Sequence, residues 1–305
     1  MKNIFKIFTA SLLLVSACEE EIPTGLNLLP ERSIFDTTYI TNILPAPQQT
    51  NVLIEDFTGV KCANCPRAQL TAKNIVAANL KRVFVMGIHP GKGLLNSFVS
   101  PFKTPGDDHD SKYDFRTDEG ADIITFLGSS GALPIGSINR TKFSGESAIL
   151  IDDTKWNGYT IGLLNNNSIV NIDTFSNKGV YFVEANKIRM NLKLSYTAST
   201  NDSQYISIAI IENSLVDFQK SGSVTIEDYD HEHVLRRMVT PSTGTQLKAS
   251  IIGGRVFEKT YEYEINPGTD INWNKENLKL LVFVHNGTNG TNKFVIQQVK
   301  EYDIH

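Results

Sequence analysis

The stretch Asn51-Val-Leu-Ile-Glu-Asp-Phe-Thr-Gly-Val-Lys-Cys-Ala-Asn-Cys-Pro-Arg67 decides how this 305-residue chain is read. Val52, Leu53 and Ile54 begin a buried-strand pattern that ends at the turn Thr58-Gly59. Beyond Cys65-Pro66, the residues Ala68, Ala72, Ile75, Val76 and Leu80 recur at helical spacing. Pro66 suits a first helical turn, where no intrahelical N–H is lost. Cys62 and Cys65 therefore sit where a strand passes into a helix, with Cys62 beside the helix N-terminus. Unpaired N–H groups and the partial positive charge at that terminus favour thiolate over thiol. Two cysteines three apart can close a small disulfide, one attacking a substrate disulfide and the other resolving the mixed intermediate. On that chemistry Cys62 is the exposed nucleophile and Cys65 the buried resolving thiol. A zinc site would need two more ligands; His89 and His109 are within the same segment, but no second cysteine pair exists. A structural disulfide is the other reading of the pair.

Outward from this stretch, Arg82 to His89 reads as a second buried strand, Asp122 to Leu127 as a short helical turn and Ile149 to Ile151 as a strand. Thr154 to Asn165, with Trp156, Tyr159, Ile161 and Leu164, reads as a helix, and Asn165 to Ser168 marks a boundary. Beyond it the period changes to two. Ile188, Met190, Leu192, Leu194 and Tyr196 alternate with polar residues, as do Ile206, Ile208 and Ile210. Phe257, Tyr261, Tyr263 and Ile265 share one face, and Leu278, Leu280, Val282 and Val284 another, with Phe294 and Ile296 opening a last strand. Strands separated by Asn, Asp and Gly turns point to an immunoglobulin-like sandwich. His231 and His233, inside Asp228 to His233, would share a strand face, but two ligands are too few for a metal, and a solvated polar strand start is favoured. His285 reads as a satisfied sheet residue. No P-loop, Gly-x-Ser-x-Gly elbow or HExxH helix appears.

The first of these segments resembles the thioredoxin-like superfamily. Asp56 and Phe57 precede Cys62 by six and five positions, as a buried acid and its phenylalanine do there. The resemblance implies that Asp56 assists proton transfer from Cys65. It also implies that Pro134, after Gly131, is the cis-proline facing the cysteine pair and aligning substrate backbone. There are departures: Ala63 and Asn64 stand between the cysteines, and Val60 and Lys61 precede them where a tryptophan is usual. An insertion near residues 90–120, including Asp107 to Asp110, is longer than the ordinary connection and invites the question of cation binding.

At the N-terminus, Lys2 and Lys6 precede an apolar core from Ile7 to Val15 and small residues Ser16 and Ala17, the pattern of a secretory signal. Leu14 to Cys18 resembles a bacterial lipobox, in which cleavage leaves Cys18 first and its thiol lipidated. Glu19, Glu20 and Glu21 follow, similar to the acidic export signal of Bacteroidetes lipoproteins. Prolines 23, 30, 45 and 47 make the next segment a spacer, with one strand near Thr37 to Asn42. No later apolar run reaches the ~18 residues of a membrane-spanning helix. A formal charge of −4 excludes a general nucleic-acid binder. With 41% hydrophobic residues the body can bury an ordinary core, and three cysteines are too few for a disulfide scaffold.

Taken in order, the lipobox, the acidic run, Glu55 to Gly59 leading into Cys62 to Pro66, Leu133 to Arg140, and His231 to Arg236 are similar to the Bacteroidetes outer-membrane lipoprotein family named after a 28-kDa outer membrane protein. The resemblance implies a signal peptide over 1–17, a lipidated cysteine and tether over 18–47, an α/β thioredoxin-like domain over 48–165 and an all-β immunoglobulin-like sandwich over 166–305. Two functions follow. One is a thiol–disulfide oxidoreductase acting on envelope or surface proteins through Cys62, Cys65, Asp56 and Pro134. The other is a surface binding or adhesion lipoprotein whose cysteine pair is structural. Neither calls for a cofactor or a metal, and in both the partner is the outer membrane, held through the lipid anchor, with no nucleic acid.

Overall fold

A computed structural model describes residues 34–305, apart from 92, 104–108, 129–130, 177 and 291. The signal segment, Cys18 and the acidic run lie outside the described residues, as do Asp107 and Asp108. The elements run β1 Asp36–Ile40, β2 Val52–Phe57, α1 Cys65–Ala78, β3 Val83–Pro90, α2 Asn96–Val99, β4 Arg116–Thr117, α3 Asp118–Leu127, β5 Ile135–Ile138 and α4 Trp156–Leu164. They continue with β6 Val170–Thr174, β7 Val180–Glu184, β8 Lys187–Tyr196, β9 Gln204–Glu212, β10 Leu215–Ser221, β11 Val224–His231 and β12 Val234–Met238. The last are β13 Thr245–Lys248, β14 Arg255–Glu264, β15 Leu278–Asn286 and β16 Ile296–Asp303.

One nine-stranded sheet has the order β16-β15-β9-β12-β3-β2-β5, with β13 on β9 and β4 on β3. β2 and β3 are parallel, and β2 and β5 antiparallel. The segments before and after Asn165 thus meet in a single sheet, where β12 pairs with β9 on one side and in parallel with β3 on the other. A second sheet, β1-β14-β8-β6 with β7 also on β8, packs against the β9–β15 region. The period-two residues make that packing: Ile206, Ile208, Ile210, Leu280, Val282 and Val284 point to β8 and its neighbours. Their alternates Ala209, Ile211, Leu281 and Phe283 turn to the opposite face, where Ile123, Ile124 and Leu127 of α3 join them with Leu53, Phe57, Met86 and Ile88. α1 and α4 cover Val52, Ile54, Val83 and Val85 through Ala68, Ala72, Ile75 and Trp156.

The helical turn expected from Asp122 begins at Asp118. Thr117 caps it, its hydroxyl accepting from Gly120 N at 3.0 Å, and Asp118 and Glu119 suit the positive helix terminus. Leu80, placed on the apolar face of α1 by its spacing, lies past the helix end and is exposed. The strand read near Thr37 is β1, paired with β14.

β2 is buried on both faces, yet it carries two adjacent acids, which alternation sends to opposite sides. Glu55 meets Arg140: Nη2 to Oε1 is 2.6 Å, Nε reaches both carboxylate oxygens at 3.0 Å, and Ser137 Oγ donates to Oε2 at 2.7 Å. Neither Glu55 nor Arg140 has solvent exposure. The guanidinium lies over Phe126 of α3 and Phe283 of β15. A buried ion pair gains little over apolar replacements, whereas removing one partner strands a charge. Glu55→Ala should therefore destabilise the chain by about 3–5 kcal/mol in urea unfolding. The double change Glu55→Leu with Arg140→Met should recover most of that loss; equal stability of Glu55→Ala and the parent would contradict this role for the pair.

Candidate functional site

The cysteine pair is built by a tight loop. Thr58 N donates to Ile88 O at 2.9 Å, Cys62 N to Gly59 O at 3.0 Å and Cys65 N to Cys62 O at 3.2 Å, after which α1 begins with Pro66 in its first turn. A Cβ on Gly59 would lie 2.4 Å from the Phe98 carbonyl oxygen, which accepts from Lys61 N, so only glycine fits there. Cys62 and Cys65 form a disulfide with their Cα atoms 5.4 Å apart.

The exposed Cys62 inferred from sequence is not what the fold presents. Cys62 is 2% exposed and Cys65 0%. The cause is the β10–β11 hairpin, which comes from beyond Asn165 and lies along the loop. Gln219 Nε2 donates to Gly59 O and Cys62 O, each at 3.2 Å; Lys220 N donates to Val60 O at 2.7 Å and Gly222 N to Ala63 O at 2.9 Å. The 90–120 insertion flanks the same loop, with Phe102 and His109 against Phe218 of the hairpin. Gln219 was invisible to motif reading, since its partners lie about 160 residues away. Its one signal is the alternation of Asp217 and Gln219 with apolar Val216 and Phe218, and both polar residues are buried.

The Leu133–Pro134 peptide is cis and leads into β5, whose Ile135 pairs with Phe57. Pro134 therefore stands at the end of the sheet from which the cysteine loop departs. Asp56, one residue on from Glu55 and facing the other way, has no cationic partner among the described residues. Burial, reinforced by the Asp153 carboxylate, pushes its carboxyl up to about 8. Asp153 is itself tied to Arg67 at 2.6 Å.

Asp56 opens onto a cavity of about 440 Å³ between α1, β3 and β11. His89 and His231 share it, their ring centroids 6.3 Å apart. Burial, then His231 and Arg236, holds His89 well below the ordinary imidazole range; burial likewise brings His231 down to about 4. His231 and His233 do not share a strand face: His231 ends β11, and His233 turns with φ 58° into β12, its carbonyl accepting from Gly87 N at 2.8 Å. Asp228, Asp230 and Glu232 are exposed, as a solvated strand start would have them, but His231 is buried. Among the described residues no three His, Cys, Asp or Glu side chains are grouped to hold a metal. His285 is satisfied by Ser207 Oγ at 2.9 Å and the Asn286 carbonyl at 2.8 Å.

The Asp56 shift has a definite sign. Between the unfolded carboxyl value of 3.8 and about 8, the unfolded chain has lost a proton that the folded chain keeps, so stability falls as pH rises through that window and is unaffected below it. Asp56→Asn removes that penalty. It should raise stability at pH 7 by up to roughly 4 kcal/mol. At pH 3.5 the gain should vanish; urea unfolding at both values checks it, and a gain independent of pH would show that ionisation of Asp56 is not its source.

No curated protein matches the chain by sequence. Among solved structures, HBP35 of Porphyromonas gingivalis is similar over 85% of this chain and 77% of its own, with a TM-score of 0.63 and 14% identity, a likeness of fold. A protein of Agrobacterium tumefaciens aligns over 84% of this chain and 95% of its own, with TM-score 0.48 and 12% identity. A domain of the outer membrane lipoprotein Omp28 from Porphyromonas gingivalis aligns over 45% of this chain and 89% of its own, with TM-score 0.31 and 16% identity. The family model described as outer membrane protein Omp28 matches residues 124–304, a span that begins in α3, takes in Pro134, Arg140 and the His231 to Arg236 seam, and leaves out Cys62 and Cys65. That match covers more than half of the sequence, and the chain belongs to the outer membrane protein Omp28 family.

Proposed function

We propose that the chain is an outer-membrane lipoprotein, anchored through Cys18 and carried on the outer face, that acts by binding, with Cys62–Cys65 as a structural clasp. In this reading residues 48–165 are a thioredoxin-like unit and 166–305 an immunoglobulin-like sandwich. The observation that carries it is the burial of Cys62 beneath the β10–β11 hairpin, held there by four hydrogen bonds to the cysteine loop. Attack on a disulfide needs an approachable sulfur, and burial in apolar surroundings makes a cysteine inert. The outer-membrane placement rests on the family name, and the lipid anchor on the lipobox and acidic run.

Thiol–disulfide exchange with envelope or surface proteins is the second reading. It is favoured by one observation: Asp56, with its raised carboxyl, and Pro134 stand at the end of the sheet from which the cysteine loop departs. Cys62 would attack, Cys65 would resolve and Asp56 would take the proton, but the hairpin must first leave.

Reduction of the pair separates the readings. A clasp should show a reduction potential below about −300 mV and no turnover of a model peptide disulfide. The Cys62→Ser/Cys65→Ser chain should fold, losing roughly 2 kcal/mol of stability. A higher potential, together with a mixed disulfide trapped on Cys62 by Cys65→Ser, would overturn the clasp. In cells, Cys18→Ser should release the protein from membranes, and protease added to intact cells should digest the parent; a protected parent would refute outward display.

A further inference from the structure

We infer that the cavity between α1, β3 and β11 is a binding site for a primary ammonium group carried on an apolar arm. Its floor is formed by three buried side chains with polar atoms that find no hydrogen-bond partner among the described residues: Asp56 Oδ1, both ring nitrogens of His89, and Nδ1 of His231, whose Nε2 meets the Phe218 carbonyl at 3.4 Å. The register brings them together. Asp56 pairs with Gly87, so His89, two residues further along β3, shares its face, and His231 closes the site from the hairpin. An unsatisfied buried polar group costs about 1–3 kcal/mol, and three around one space mark a place built for something they can bond.

The polarity of the floor selects the ligand. Both imidazoles are neutral and each can turn a lone pair inward, while Asp56 offers carboxylate oxygens. A primary ammonium can donate to the Asp56 carboxylate and to a neighbouring imidazole through separate N–H groups, whereas an alcohol has one donor and a quaternary ammonium none. The ammonium also supplies the charge partner that Asp56 lacks; on binding, the Asp56 proton passes to solvent and the carboxylate stays with the cation. Among the described residues no three such side chains group closely enough to hold a metal ion, a convergence that an ammonium donating to two of them does not need. Above the floor the walls turn apolar, with Ala72, Val85 and Val234. Tyr229 is held in the wall by its hydroxyl, which donates to Gln69 Oε1, and Gln69 in turn donates to Thr58 Oγ1 at 3.1 Å. Exposed Leu70 stands at the mouth, with acidic Asp230 and Glu232 along the rim and Lys73 as the cation there.

The inference deepens the binding reading by naming a ligand class for it. Isothermal titration of the soluble body, the chain carrying Cys18→Ser, with n-hexylamine as probe and n-hexanol as its neutral counterpart tests it. Hexylamine should bind with one-to-one stoichiometry, and hexanol about tenfold or more weakly. Asp56→Asn, which should fold at least as stably as the parent, should cost hexylamine about tenfold or more and leave hexanol unchanged. Equal affinity for the two probes, amine binding indifferent to Asp56→Asn, or no amine binding would each overturn it. Those outcomes leave the clasp reading untouched, because that is decided by the reduction potential of Cys62–Cys65.

Discussion

The seating of β5, α3 and β15 around β2 turns on the buried contact between Glu55 and Arg140. A carboxylate in the middle strand of a sheet, with no solvent on either face, is tolerable only when a cation meets it with good geometry. Arg140 does so from the end of β5, just past a turn in which Asn139 and Arg140 both take positive φ, 47° and 50°. Asn139 accepts from Leu53 N at 2.7 Å and donates to Asn51 O at 3.1 Å, so the turn is fastened to the start of β2. Its own carbonyl accepts from Ile296 N, at the start of β16. The guanidinium then lies between rings of α3 and β15. One ion pair thereby fixes the β2–β5 register and the seating of the C-terminal strands on it. Its value is in alignment more than in net energy.

Much of this was legible because it is local. Strand, turn and helix around Cys62 follow from spacing within some thirty residues, and the strands after Ser168 follow from period two. Pro134 was found through a resemblance of residue order. What escaped were contacts between distant segments. β12 is five residues long and meets β3 at a single register pair, Val234 with Gly87, too slight a pattern to show that one sheet spans both halves. The shared face expected of His231 and His233 failed because His233 breaks the strand with a left-handed backbone, which histidine tolerates better than most residues but which alternation does not register. Glu55 was quoted as part of a motif, but nothing within its own segment could say that a cation waited at 140.

The burial of Cys62 has the same origin. The loop from Gly59 to Cys65 is that of an exposed site when read alone, with a helix N-terminus beneath it. Polar side chains on one face of β10 turn it into an interior surface: Gln219 bonds to the loop, and Asp217 accepts from Tyr113 N at 2.9 Å in the insertion. Hairpin, insertion and loop therefore close on each other. Motif reading sees only the segment, and so it expects exposure at a cysteine that the whole chain encloses.

Adjacent acids in β2 show how a strand divides its labour. Glu55 and Asp56 are comparably buried, and alternation alone decides that they look in opposite directions. The face that Glu55 reaches holds a guanidinium and two aromatic rings, and the charge is neutralised within the protein. The face that Asp56 reaches holds two imidazoles kept neutral by burial and a space large enough for a small molecule, so its neutralisation is left to a proton. A buried carboxyl that keeps a proton near neutrality marks surroundings that disfavour an uncompensated charge. The hairpin that covers the cysteines also lines that space, through Tyr229 and His231, so one element encloses both the disulfide and the cavity.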